Sequence, residues 1–493
     1  MTPELKIFKS LSKKYSLVPV CLECSADCDT PVTVFLKVAA QKKYSALLES
    51  VEGGEKFGRY SFIALSDHFR FESYGNKIIL THSASEKKEI RKAQALAELK
   101  KIFKVLKAAP LPELPQFSGG AVGMISYDMV RNFEKLPNLL PNDLHLPDAL
   151  LLFTDEGIVF DHWKHKMFLV KWNLIQNRSE FHLEQLYKKA QVSLKKIESK
   201  IRAGKTVSPL KTTQNKKLED MLKSNFSKKE YCKAVLKTKK YIEAGDVIQT
   251  VLSQRFMLES NVDPFHVYRA LRVINPSPYL YFFKFNDFAL AGSSPEILVR
   301  KEGHTAITRP IAGTRKRGKN LNQDLALEKE LISDPKERAE HLMLVDLGRN
   351  DLGRCCEAGT VKVKDFMSVE RYSHVMHLVS TVEGSLKPKE DAFSLFKACF
   401  PAGTVTGAPK IRAMEIIEEL EKKKRASYAG SVGYFSYAGN MDMAITIRTI
   451  LFKKNKIYIQ AGAGIVADSV PEYEEKETRS KAKAMIKALE CAL

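Results

Sequence analysis

Two carboxylate pairs recur at helical spacing. Glu337 and Glu340 lie three apart in SDPKERAEHLMLVDLGRNDLGR (residues 333–354), and Glu474 and Glu477 repeat the arrangement in PEYEEKETRSKAKAM. Side chains three apart are neighbours on a helix. Two such helices could hold a hard divalent cation between them and leave positions for water and an anionic ligand. The spacing also suits ordinary exposed helices, and Glu337, three residues after Asp334, could equally close a capping box. Arg448 sits in the apolar run AITIRTILF, where alternation puts it on one face with Thr446 and Ile450. A guanidinium there needs an anion, because burying the charge alone is too costly. A substrate carboxylate would serve, and so would an internal Asp or Glu.

Glu296, beside the Ser-Ser-Pro turn of GSSPEILV, becomes a candidate general acid if desolvation raises its pKa. His377 shares a strand face with Val375 and Val379 and reads by default as a core histidine. PAGTVTGAPK fails as a nucleotide loop: Gly403 and Gly407 enclose three residues, and Ala408-Pro409-Lys410 stands where Gly-Lys-Ser/Thr is required. Its glycines, ahead of a helix opened by Pro409, suit either a tight turn or a small anion held by backbone N–H groups. Ala461 to Gly464 (AGAG) ends a strand without the third glycine of a dinucleotide fingerprint, which disfavours NAD. That stretch could still let a backbone approach a ligand carboxylate.

These residues need elements to hold them. In residues 333–354, Asp334 can cap a helix and Pro335 fits its first position. Ala339, Leu342, Met343 and Leu347 predict the buried stripe, with Glu337 and Glu340 on another face and His341 close by. The closing helix is expected over 472–490. A helix or strand is expected over 32–48, then a loop (EGGEKFG). Strands are expected at GRYSFIAL, HFRFESYG, NKIILTH, FSGGAVGMISYDMV and ALLLFTDEGIVFDHWKHKMFLVKW, then at VIQTVLSQRF, YLYFFKF, FALAGSSPEILVRK, HTAITRPIAGT, HVMHLVSTVEG, SVGYFSY, AITIRTILF and KIYIQAGAGIV. Further helices are expected over 87–107, 180–200, 228–244, 391–399 and 411–424. Strands come in runs with helices between, without regular βα alternation, and this favours α+β. A polar stretch, 206–226, reads as a linker between regions 1–205 and 227–493.

The chain has 493 residues, 44% hydrophobic and 28% charged, enough for a large core. No apolar run approaches the ~18 residues of a membrane span, and MTPELKIFKS lacks a signal-peptide apolar region, so a cytoplasmic protein is expected. Of the eight cysteines, Cys21, Cys24 and Cys28 cluster without a second Cys or His pair to complete a zinc site, and Cys355-Cys356 read as packing residues. The net charge of +21 raises the question of nucleic acid. The lysines are dispersed among glutamates, however, and residues 188–240 offer few aromatics for stacking on bases. A basic surface that steers an anionic substrate fits better.

The segments LLES, NPSPYLYFF, SSPE, RPIAGTR, ERAEHLMLVDLGRNDLGR, VMHLVSTVEG, PAGTVTGAPK, AITIRT and QAGAGIVADSVPEYEEKET run in one order from about residue 25 to the C-terminus. In this order they resemble the chorismate-utilising enzymes, and within that family the large subunits of anthranilate synthases. The resemblance implies an α+β fold of two large antiparallel sheets packed as a sandwich, with helices outside. It implies Mg2+ held by Glu340 and Glu477, with Glu337 and Glu474 behind them or acting through water. Substrate binding would fall to Gly313, Thr314, Tyr428, Arg448, Gly462, Ala463 and Gly464. Glu296 would protonate the departing ring hydroxyl, and His377 would assist pyruvate elimination.

Relatives that activate water carry a lysine where Gln249 stands, and aminodeoxychorismate synthases typically carry one where Ala312 stands. Neither residue here can supply that chemistry, and both point to ammonia as nucleophile. Glu49, Ser50, Pro278, Tyr279 and Leu280 resemble a feedback site for L-tryptophan. No cysteine lies in a G-x-C-x-G turn, so ammonia from glutamine implies a separate amidotransferase small subunit and a hetero-oligomer.

Overall fold

The computed structural model describes residues 1–50, 58–115, 117–203, 208–210, 217–372 and 375–493. The loop expected at EGGEKFG, the start of HVMHLVSTVEG at His374 and much of the 206–226 linker lie outside the described residues. Of the rest of that linker, Glu219–Met221 forms a 3-10 turn, and Lys223–Ser224 pairs with Phe256 and Met257.

The molecule is mixed α+β. Among the described residues, twenty-two strands join one hydrogen-bonded network, and the ladders between them are antiparallel. Side chains on a strand alternate between faces, and this alternation divides the core. Phe62 and Ala64 enter one apolar cluster, whereas Ile63 and Leu65, one position along, enter another. The first cluster joins strand residues to residues of the helices Ala95–Val105, Pro335–Gly353, Ala392–Cys399 and Lys410–Leu420. The second includes residues of the helices Leu5–Lys14, Pro31–Val38, Glu180–Arg202, Pro264–Ile274 and Pro471–Ala492. No described helix is long and apolar enough to cross a membrane.

The two sequence regions interlock. Ser45–Glu49 pairs with Tyr279–Phe285, and Gly120–Ile125 pairs with Ser431–Ser436. The strands of residues 1–205 therefore continue those of 227–493, and both regions fill the same cluster.

Several elements differ from the sequence expectation. Residues 87–107 split into a strand, Lys87–Lys92, and a helix, Ala95–Val105. Among the described residues the strand pairs only with Lys77–His82, and its charged, exposed side chains protect a sheet edge. AITIRTILF breaks into Met441–Ile445 and Thr449–Lys453, with Arg448 at the break in a left-handed conformation (φ 51°). Helices Pro264–Ile274 and Leu321–Ser333 had no counterpart in the sequence reading.

Candidate active site

The first carboxylate helix runs Pro335–Gly353, and Asp334 caps it by accepting from the N–H groups of Lys336 and Glu337. Its buried stripe differs from the expected one. His341, Leu344, Val345 and Leu352 are buried, whereas Ala339 and Leu342 are exposed. The buried face lies about two positions along from the expected one, nearly on the opposite side of the helix, and His341 packs inward there on Ser380 (Nε2 to Oγ, 2.7 Å). Glu337 and Glu340 therefore flank the inward face instead of lying on another one. Burial pushes the His341 pKa down to about 4, so the ring is neutral.

The second carboxylate helix, Pro471–Ala492, carries Glu474 and Glu477, and Lys481 one turn further. Lys481 ties the site together. Its ammonium lies 2.7 Å from Glu477 and donates to the Gly462 carbonyl at 3.0 Å, while its own carbonyl accepts from Arg448 at 3.2 Å. Its charge also acts on Glu296, Glu340 and Glu474. Sequence reasoning passed over Lys481, although its position four residues after Glu477 marked it as a partner.

The carboxylates of the two helices affect one another. Burial pushes the Glu340 pKa up, as does the charge of Glu337, with a smaller contribution from Glu477 across the gap. Burial likewise raises Glu474, with Glu477 adding to it. Gln249 donates to Glu340 at 3.4 Å. Glu337 is held by Arg315 at 2.9 Å. No three His, Cys, Asp or Glu side chains among the described residues stand close enough to form a finished metal cage. The donor chemistry nonetheless fits a hard cation: oxygen ligands from two helices, with burial and then like charge raising Glu340 and Glu474, which a cation would relieve.

Glu296 follows the strand Phe288–Ser294 and is 8% exposed. Burial is the main cause of its pKa rise to about 8, opposed by Thr404 and Lys481. It opens onto a cavity of about 40 Å³ that Thr308, Gly403 and Thr404 also line. The Thr404 hydroxyl is buried, and no other partner satisfies it. PAGTVTGAPK thus contributes a threonine beside the candidate acid, and no nucleotide loop.

His377 is half-buried in Val375–Ser385, not a plain core histidine. Its Nδ1 lies 2.9 Å from the Gly313 carbonyl and 3.0 Å from Thr314 Oγ1. A proton on Nδ1 donates to that carbonyl and leaves Nε2 as the free base. Burial lowers its pKa, so the ring is neutral at pH 7. Gly313 sits in a bulge between Ala312 and Thr314 with φ 68°, a conformation that favours glycine. Ala312 itself is buried opposite Leu378.

Arg448 is half-buried, and no carboxylate among the described residues lies within ion-pair distance of it. The alternative of an internal ion pair is thereby not realised. Desolvation lowers its pKa, opposed in part by Tyr428 and by the charge of Glu477. Tyr428 is buried, its pKa raised to about 12, and it lies against Gly462. Gly464 lies against Gln249 in the same way, and Ala463 between them faces the opposite side. A buried pair that sequence reasoning missed, Arg425 and Glu421, braces this region. Arg425 donates to the carbonyls of Val405 and Val251, both at 2.7 Å.

Of the residues expected at a tryptophan site, Glu49 and Leu280 are brought together. The ladder sets Glu49 opposite Leu280, with Pro278 buried nearby. Glu49 is already engaged, accepting from Tyr268 at 2.5 Å and from Arg272 at 3.1 Å. The Tyr279 hydroxyl donates to Asp442 at 3.0 Å. Ser50 directly follows the strand. A cavity of about 720 Å³ lies elsewhere, around Phe35, Phe265 and Lys284, and none of the residues selected from sequence lines it.

The family model described as chorismate binding enzyme matches residues 46–487. The anthranilate synthase component 1 of Acetivibrio thermocellus is 49% identical over 99% of this chain and 98% of its own. That of Aquifex aeolicus is 46% identical over 99% and 98%. The crystal structure of anthranilate synthase component I from Streptococcus pneumoniae superposes with TM-score 0.77 at 38% identity, covering 88% of this chain and 95% of that one. The menaquinone-specific isochorismate synthase of Escherichia coli shares the fold, with TM-score 0.69 at 20% identity, covering 98% of each chain. The chain belongs to the chorismate-binding enzyme family and, within it, to the anthranilate synthase component 1 group.

Proposed function

We propose that this chain converts chorismate and ammonia to anthranilate and pyruvate, in the biosynthesis of tryptophan. The observation that carries the reading is Glu296. It is a buried carboxyl with a pKa of about 8, and Lys481 of the second carboxylate helix acts on it as it does on Glu340 of the first. A group protonated at neutral pH and isolated from water is what departure of a ring hydroxyl needs.

Arg448 would take one carboxylate of chorismate, helped by Tyr428, the Gly313-Thr314 backbone and the stretch Gly462 to Gly464. Among the described residues no carboxylate is ion-paired with Arg448, which supports this. Glu296 gives its proton to the C4 hydroxyl, which leaves as water while ammonia attacks C2. His377, held through Nδ1, then takes the C2 proton at Nε2 as the C3–O bond breaks and the ring becomes aromatic; the departing enolpyruvate takes up a proton at its methylene carbon to give pyruvate. Gln249 and Ala312 line the nucleophile side and offer neither a base for water nor an amine of their own. Glu340 and Glu477, with Glu337 and Glu474 behind them, would hold Mg2+, which when bound supplies charge for the ring carboxylate. The region 1–205 carries part of a tryptophan site at Glu49, Ser50, Pro278, Tyr279 and Leu280, and 227–493 carries the chemistry. A two-layer antiparallel sandwich, supported by the division of the core between strand faces, is the architecture that goes with this reading. An amidotransferase small subunit would supply ammonia from glutamine in the cytoplasm.

The test is anthranilate fluorescence from the purified chain with chorismate, Mg2+ and ammonium salt at mildly alkaline pH. Metal-dependent fluorescence that falls with L-tryptophan is expected. Loss of chorismate without fluorescence would overturn the reading in favour of a non-aromatic or 4-amino product.

A further inference from the structure

Arg448 sits at a break in its strand, and two groups from outside that strand fix the break. The first is Tyr281. In the sheet, Tyr279–Phe285, Phe288–Ser294 and Thr449–Lys453 lie side by side, with Tyr281 opposite Gly292 and Gly292 opposite Thr449. The Tyr281 ring passes over the middle strand, and its hydroxyl hydrogen-bonds the Thr449 hydroxyl. Gly292 permits this crossing, since a Cβ there would come within 2.1 Å of the ring and 2.5 Å of its oxygen. The hydroxyl also faces Thr446, whose buried Oγ1 finds no other partner. One tyrosine oxygen thus contacts the threonines on both sides of Ile447-Arg448. The second group is Ser293. Its N–H donates to the Arg448 carbonyl at 3.1 Å, and its hydroxyl donates to the Asn275 carbonyl and lies 2.9 Å from both Asn275 Nδ2 and Ser277 Oγ.

Both groups connect to NPSPYL. Tyr281 follows Leu280 directly, and Ser293 is bonded to Asn275 and Ser277. A left-handed conformation in a non-glycine residue persists only where its surroundings impose it, and here those surroundings are rooted in the segment that resembles the tryptophan site. We propose that Tyr281 and Ser293 are positioning residues for Arg448, and that through them occupancy of the NPSPYL segment alters the grip on the substrate carboxylate. The coupling half of this inference rests on the reading of that segment as a tryptophan site; the positioning half does not.

The experiment uses the full chain with chorismate, Mg2+ and ammonium salt, and measures tryptophan binding separately by calorimetry. Tyr281→Phe keeps the ring and removes the oxygen. We expect chorismate KM to rise about tenfold with kcat within about twofold, because a binding group is misplaced while the acid and base are not. Tryptophan should bind within about twofold of its normal affinity while its effect on chorismate KM shrinks at least about fivefold, because coupling is separable from binding. Thr449→Val removes the same bond from the other side and should reproduce both changes. Tyr187→Phe, whose hydroxyl bonds the Pro3 carbonyl far from the site, should change neither. Unchanged KM in both Tyr281→Phe and Thr449→Val would overturn the positioning role. Unchanged tryptophan coupling in both would overturn the relay. A parent chain that binds no tryptophan would remove the tryptophan reading and with it the coupling, while the KM measurement would still decide the positioning.

Discussion

Replacing Glu296 with glutamine should remove activity and stabilise the protein at alkaline pH. The carboxyl has an ordinary pKa of 4.5 and one of about 8 in the folded chain, raised chiefly by burial. A carboxyl with a raised folded pKa favours the native state only while protonated. Its contribution to stability falls as pH climbs from 4.5 to about 8 and is level above that. Each pH step in that window costs about 1.4 kcal/mol, so between pH 6.5 and 9 the parent chain loses about 2 kcal/mol on account of Glu296. The amide introduced by Glu296→Gln cannot ionise, and the variant escapes that loss. In metal-free protein, the urea midpoint of the variant relative to the parent should therefore rise between pH 6.5 and 9, by an amount equivalent to about 2 kcal/mol. Ammonia-dependent kcat should drop by about 10²- to 10⁴-fold, as for loss of a general acid. A stability difference between variant and parent that is the same at both pH values would refute the claim that Glu296 is buried and protonated at neutrality.

Arg448→Met should lower kcat/KM for chorismate roughly 100-fold, the scale of a lost charge-assisted contact. It should not lower the urea midpoint, because the guanidinium has no ion pair to lose among the described residues. Glu340→Gln should weaken Mg2+ activation by at least about tenfold. The metal-free variant should also be more stable than the parent, since a raised, like-charged carboxylate is removed. Arg425→Met should destabilise the fold by about 3–5 kcal/mol, since it strands Glu421 as a buried charge. Tyr268→Phe, which removes one of two donors to Glu49, should raise the tryptophan concentration needed for inhibition by about tenfold.

The sequence showed what depends on local spacing. The two glutamate pairs, the Asp334 cap and most strands could be read because helical and strand periods are written in neighbouring residues. What failed depended on pairing and burial. Leu342 fits a 3.6-residue pattern, yet His341 takes the inward position, because Ser380 on another element gives the imidazole a partner. Arg448 looks like an ordinary strand residue within AITIRTILF, and the break is visible only once Gly292 and Ser293 lie beside it. The Gly313 bulge arises from a ladder with residues more than sixty positions away. Lys87–Lys92 has the composition of a solvated helix and forms an edge strand because Lys77–His82 is there to pair with it. The interlock of the two sequence regions was likewise out of reach, since no local pattern assigns Ser45–Glu49 to Tyr279–Phe285.

The most direct measurement is product analysis with chorismate, Mg2+ and ¹⁵N-ammonium, resolving the aromatic product and pyruvate by mass. The account predicts anthranilate carrying the label at its amino group, with pyruvate formed one to one and both lost in Glu296→Gln. A labelled product that retains its enolpyruvyl group, or an isomer of chorismate without nitrogen, would contradict it.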